Sequence, residues 1–293
     1  MHPLKGVVFK LIAVALGVAM SAVVKATADT IPPGQAVFFR SFFAIPVIVV
    51  WLILRGELSS GLKTNNPVGH LWRGMVGTSA MAMFFIALGI LPLPEVTAIG
   101  YAAPILVVVF AALFLGEKVG IYRAAAVCLG LLGVGIILWP RLTVGSDGHD
   151  ALAMFGVLIA LTGAVFAAMA QILIRKLTRT EGTASIVFWF SVTASALSLL
   201  TLYWGWVIPT PREALMLVSA GLIGGFLQIF LTSSYRFADA SLVAPFEYTS
   251  MLLAIAVGYF VFAELPTQPT IIGACVIIFA GIVIILRERH LGL

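Results

Sequence analysis

The sequence predicts an all-α integral membrane protein, ten transmembrane helices arranged as two inverted five-helix repeats. Three observations lead there. The 293 residues are 61% hydrophobic and only 10% charged, against roughly 25% charged in a soluble domain, so the chain cannot clothe a water-facing surface of its size. The apolar residues run on without alternation, as from Val96 to Gly116 with no charge. That pattern suits helices crossing lipid and not the period-two strands of a barrel. Finally, the chain matches itself at a single offset of 147 residues, half its length.

At 1.5 Å of rise per residue, about 20 apolar residues cross the hydrocarbon core. The first span is 7–27, and the N-terminus to about Val24, with Lys5 and Lys10 ahead of its apolar run, faintly resembles a signal peptide. It lacks a small-residue cleavage site ahead of a polar domain, so it is expected to be a retained span. Pro32-Pro33-Gly34 separates it from the second span, 35–54. The third, 70–91, ends at Pro92 and Pro94 before the fourth, 95–115; the fifth is 120–139. Gly145-Ser146-Asp147-Gly148 divides these from the sixth, 152–174, and the seventh, 183–204. Pro209 and Pro211 precede the eighth, 213–235, and Pro266 and Pro269 lie between the ninth, 241–262, and the tenth, 268–287. Each break carries turn chemistry.

Basic residues orient the bundle. With a cytoplasmic N-terminus, thirteen Lys and Arg fall on the cytoplasmic side, Lys10 and Arg73 among them, and only Lys25, Arg141 and Arg212 on the other. Both termini are therefore expected in the cytoplasm, with an even number of spans. The net charge of +5 and pI of about 9.4 are assigned to this asymmetry, since no basic surface interleaved with aromatics exists to grip nucleic acid. Cys128 and Cys275 lie inside apolar runs and are expected to be free. Zinc-ligand spacing is absent, so no metal site is expected.

The repeat supplies the domain organisation, 1–147 and 148–293. At the common offset Leu11-Ile12-Ala13 falls on Leu158-Ile159-Ala160, Phe43 on Phe190, Gly74 and Gly77 on Gly221 and Gly224, Tyr101 on Tyr248, and Glu117 on Glu264. Five spans per half is an odd number, so the second copy enters the membrane upside down. Two similar halves of opposite orientation can exchange conformations and open a midplane cavity to either side in turn. The alternative is that the duplication only builds a stable bundle.

Glu247, in Ala244-Pro245-Phe246-Glu247-Tyr248, is the most conspicuous polar residue, about 9 Å into span nine. An intramembrane carboxylate faces a cavity or a partner. It is either a coupling group or ammonium contact, or a carboxyl at the cytoplasmic end paired with a cation. Pro245 frees a backbone carbonyl one turn back, for substrate or simply for a kink. Tyr101 and Tyr248 are repeat equivalents, as are Phe42 and Trp189, and can line a pocket or face lipid. Ser79 lies deepest of the small polar residues and is a cavity candidate; Gln171 lies nearer the cytoplasm, where helix bridging is the other role. Lys25 and Arg40 read as snorkelling anchors, with gating against Asp29 as a second role for Arg40. Glu117 and Glu264 are expected to cap the helices that follow. Small residues fill spans five and ten, which pack on each other or on a second protomer, giving a monomer or a homodimer. No catalytic group or cofactor site is expected, because no His lies mid-span and no intramembrane Asp residues are paired; no buried cluster of Lys and Arg suited to a phosphate substrate is visible.

Leu115-Gly116-Glu117 at the end of span four, its counterpart Phe262-Ala263-Glu264, and Phe39-Arg40-Ser41 in span two resemble motifs of the drug/metabolite transporter superfamily, in particular its EamA-type permeases. The resemblance covers essentially the whole chain; Ala263 departs from the family's glycine. It implies an exporter or uptake carrier of a bacterial inner membrane, with export of amino acids (aromatic ones included) or related small metabolites expected. Organic cations and nucleotide-sugar-like solutes are the alternative substrates; an intramembrane enzyme or a channel would be of another class. The partners it implies are a small-molecule substrate and the lipid bilayer.

Overall fold

The computed structural model describes residues 3–115, 125, 128–130, 132–133, 135–137, 139, 148–177, 180–237, 246–247 and 249–290. Pro245, Tyr248 and Glu117, singled out above, lie outside the described residues. Those described are helical with short connections, and no strand occurs among them. Helix α1 is Pro3–Thr27, α2 Pro33–Phe42, α3 Ala44–Leu54, the single turn α4 Leu58–Gly61 and α5 Pro67–Ile90. Then come α6 Leu93–Gly100, α7 Ala102–Leu115, α8 Gly148–Leu177 and α9 Thr183–Leu199, which runs into a 3-10 turn at Leu200–Trp204. Helices α10 Pro211–Phe237, α11 Thr249–Phe262 and α12 Gln268–His290 complete the chain. Among the described residues six helices are long and apolar enough to cross a membrane, and four apolar helices are shorter, including Cys128–Ile137.

Helix starts follow local chemistry. Prolines stand in the first turn of α2, α5 and α6, where their missing N–H costs nothing. The Asn66 side chain accepts from Gly69 N at 2.9 Å and caps α5. Two spans that the sequence predicts as single helices, 35–54 and 95–115, are each interrupted by one residue. Pro46 has no N–H for the carbonyl of Phe42, and Pro104 none for that of Gly100. The breaks fall at those points, at Phe43 (φ −76°, ψ −7°) and Tyr101 (φ −67°, ψ −8°).

Helix α1 packs most extensively against α10, and α5 against α8. Helix α2 pairs with α9, and α6 with α11. The main core threads these contacts and includes Phe85, Leu88, Leu91, Ile99, Leu217 and Ile277. Glycines let backbones meet. A Cβ on Gly221 would lie 2.7 Å from the carbonyl oxygen of Phe39, and one on Gly273 would lie 2.5 Å from that of Gly133. Spans five and ten therefore pack on each other within one chain.

Candidate functional site

Helix α1 is tied to the second half of the chain at both ends. Lys10, on its inward face and 1% exposed, forms an ion pair with Glu247, whose side chain is 42% exposed. The Ser250 hydroxyl, one turn along in α11, donates to the Glu247 carbonyl at 2.6 Å and lies 2.6 Å from the Tyr101 hydroxyl. Tyr101 is buried where α6 gives way to α7. Fifteen residues along α1, about 22 Å at the helical rise, Lys25 pairs with Glu264 at 2.9 Å. Lys25 also donates to the carbonyls of Leu88 and Leu91 at 3.1 and 2.8 Å. It is thus a junction and not a free snorkelling anchor. Glu264 accepts from Leu93 N at 2.9 Å. The expected cap on the following helix is corrected: Glu264 caps α6, from the first half of the chain, because α11 brings it beside that helix start.

A second cluster joins α2, α5, α9 and α10. Arg40 is 2% exposed and Arg73 6%, and both guanidinium groups face the Phe190 ring, with Cζ 5.6 and 3.9 Å from its centroid. Nε and Nη1 of each have no hydrogen-bond partner. Two repeat-equivalent glycines make the room. A Cβ on Gly77 would strike Arg73 Nη1, and one on Gly224 would lie 2.9 Å from Arg40 Nε. This corrects three expectations. Arg40 points inward instead of snorkelling, and it forms no ion pair with Asp29. Arg73 is buried in the bundle, though charge placement assigned it to the cytoplasmic face. A buried arginine pair exists where the linear sequence shows none. The available signal, for Arg73 alone, was a cation inside a span with glycine four residues on, at Gly77.

A cavity of about 250 Å³ begins about one turn along α2 and α5 from this pair, bordered by Val37, Thr78, Ser79, Leu197 and Ser198. Ser79 spends its hydroxyl on Met75 O of its own helix at 3.0 Å, whereas Thr78 Oγ1 is buried without a partner. The remaining sequence candidates stand apart from both clusters. Phe42 is half exposed and stacks on Phe38, with centroids 5.3 Å apart. Trp189 Nε1 donates to Leu62 O at 3.1 Å, and Gln171 is exposed.

On the face where α4 lies, Glu181 accepts from Asn65 N at 2.8 Å and from the Thr64 hydroxyl at 3.1 Å. His70 Nε2 lies 3.6 Å from it. Burial pushes the Glu181 carboxyl up, but these hydrogen bonds and the His70 charge outweigh it and hold the group below the ordinary carboxylate range.

Comparison with known proteins places these features. The profile of the EamA-like transporter family matches residues 4–139 and again 154–287. A pseudopaline exporter of Pseudomonas aeruginosa is 31% identical over 264 residues, covering 90% of this chain and 89% of its own. An S-adenosylmethionine uptake transporter of Rickettsia prowazekii is 27% identical over 255 residues, 87% and 83% of the two chains. A riboflavin transporter of Rhizobium johnstonii is 29% identical over 260 residues, 88% and 83%. A protein of known crystal structure, 22% identical, shares the fold with a TM-score of 0.69 over 98% of both chains.

Proposed function

This chain belongs to the EamA-like transporter family and is a membrane transporter; from that premise we propose that it exports amino acids or related small metabolites across a bacterial inner membrane by alternating access. The observation that carries the mechanism is the pattern of helix pairing. Exchanging the proposed halves, 1–147 and 148–293, turns the α1–α10 contact into the α8–α5 contact. The same exchange returns the α2–α9 contact to itself. A bundle with that property has two equivalent ways to part, one toward each face of the membrane. In this reading both termini are cytoplasmic, Lys10–Glu247 closes the cytoplasmic end of the α1–α11 seam, and Lys25–Glu264 closes the outer end. One clamp opens while the other holds.

Purified protein in liposomes preloaded with labelled amino acids tests the reading. Efflux above that of empty liposomes is expected, lost in Glu247→Gln or altered in its pH profile. Absence of flux for every amino acid under any gradient sinks amino-acid export, and the same vesicles loaded with organic cations or nucleotide sugars test the alternative substrates. Cysteine labelling at positions flanking Lys118 and Pro266 tests the inversion, which requires opposite faces.

A further inference from the structure

Arg73 lies six residues past the start of α5 and Arg40 seven past the start of α2. These helices enter the bundle from opposite faces, so each backbone position is about 10 Å from its own entry surface. The long side chains bring both guanidinium groups to Phe190, deep in the bundle. A charge taken out of water is retained where it has a partner or a task. These two repel each other, both lie against the Phe190 ring, and leave Nε and Nη1 unpaired on both. The chain supplies no carboxylate to either group among the described residues. What the pair lacks is an anion with two coplanar oxygens, matched to the fork of a guanidinium.

We propose that Arg40 and Arg73 form an oxyanion site that holds the carboxylate of the transported solute, with the rest of the solute in the nearby cavity bordered by Thr78 and Ser79. This rests on the transport reading and names its substrate class. The unpartnered Thr78 hydroxyl, at the border of the cavity, offers the solute a neutral contact. Gly77 and Gly224 are required because a methyl group at either position would enter the space that the guanidinium groups occupy.

Thermal unfolding of the detergent-purified chain tests binding without flux. The probes are benzoate and L-phenylalanine, their neutral amides benzamide and L-phenylalaninamide, and inorganic phosphate. The two carboxylates are expected to raise the melting temperature and the amides to leave it unmoved. Arg40→Met and Arg73→Met are expected to abolish the shift while melting, without probe, at or above the wild-type temperature, since each removes an unpaired buried charge. Arg40→Lys and Arg73→Lys keep the charge without the fork and serve if a Met variant fails to fold; each should need about tenfold more probe for the same shift. Equal shifts with acids and amides, a shift with phosphate alone, shifts retained in the Arg variants, or Met variants that fold but melt lower without probe would overturn the assignment. A carboxylate shift without liposome flux sinks only the transport reading. Flux that ignores carboxylate and both arginines sinks only the anion site.

Discussion

Gly273→Ala tests how closely spans five and ten approach. A Cβ placed there lies 2.5 Å from the carbonyl oxygen of Gly133 and 2.5 Å from Ile137 Cγ1, whereas ordinary contact begins at 3.4 Å. The helices must move apart by about 0.9 Å to admit it. A backbone carbonyl cannot swing aside as a side chain can, so the cost falls near the top of the overpacking range, about 3 kcal/mol. Greater helix propensity returns about 1 kcal/mol. Lipid offers no hydrophobic drive to restore lost helix packing, which leaves a net loss of about 2 kcal/mol. For a chain of this size that is a fall of roughly 4–8 °C in melting temperature, read by thermal unfolding in detergent. Gly135, with nothing within 4 Å, is the control: Gly135→Ala should gain up to about 1 kcal/mol. If Gly273→Ala melts at or above wild type, or Gly135→Ala falls as far, the inferred backbone contact is wrong.

Other outcomes follow from single contacts. Ala263 ends α11 at φ 54°, a left-handed conformation that costs a Cβ-bearing residue about 1–2 kcal/mol. Ala263→Gly should therefore raise stability by about 0.5–1 kcal/mol after the added unfolded-state entropy, read from the same melts. Tyr101→Phe loses its hydrogen bond to Ser250 and about 1 kcal/mol, while Ser250 keeps its bond to Glu247 O. Lys25→Met strips two carbonyls and Glu264 of their cation; partial exposure moderates the loss to about 2 kcal/mol, and Glu264→Gln in that background should add little. Glu181 ionises below its ordinary 4.5. The carboxylate thus contributes stability that is in place above pH 4.5 and disappears as pH falls through its lower folded value. Melting temperature against pH should lose that acid limb in Glu181→Gln; an unchanged limb refutes the Asn65 and Thr64 contacts.

What the sequence displayed was local. Continuous apolar runs and proline-rich turns marked the spans, because hydrogen bonding in lipid leaves a run of that kind little choice but helix. The outward-facing charges were legible from loop placement. Arg40, Arg73 and Lys10 were not, since a cation one to three turns inside a span reads the same whether it reaches back to water or inward to a ring. Deciding that takes the facing helix: Phe190 in α9 and Gly224 in α10 lie more than a hundred residues from Arg40 and Arg73. Glu247 was legible as a notable carboxyl, but its partner Lys10 lies 237 residues away. Glu95, 4% exposed at the start of α6, escaped notice because it stands at the boundary of an apolar run. The interruptions at Phe43 and Tyr101 were written in Pro46 and Pro104, yet a proline in a span is compatible with a gentle bend as well as a break.

Those interruptions have a mechanical consequence. A continuous helix resists bending because every turn is laced to the next, and flexing it sharply means tearing a bond. Here proline has already withdrawn the lace at one point in each of two membrane segments. The outer piece can tilt on the inner by turning the dihedral angles of a single residue, with no further bond to sever. Stiff levers on a loose pivot let the wall of the bundle swing while each lever stays intact.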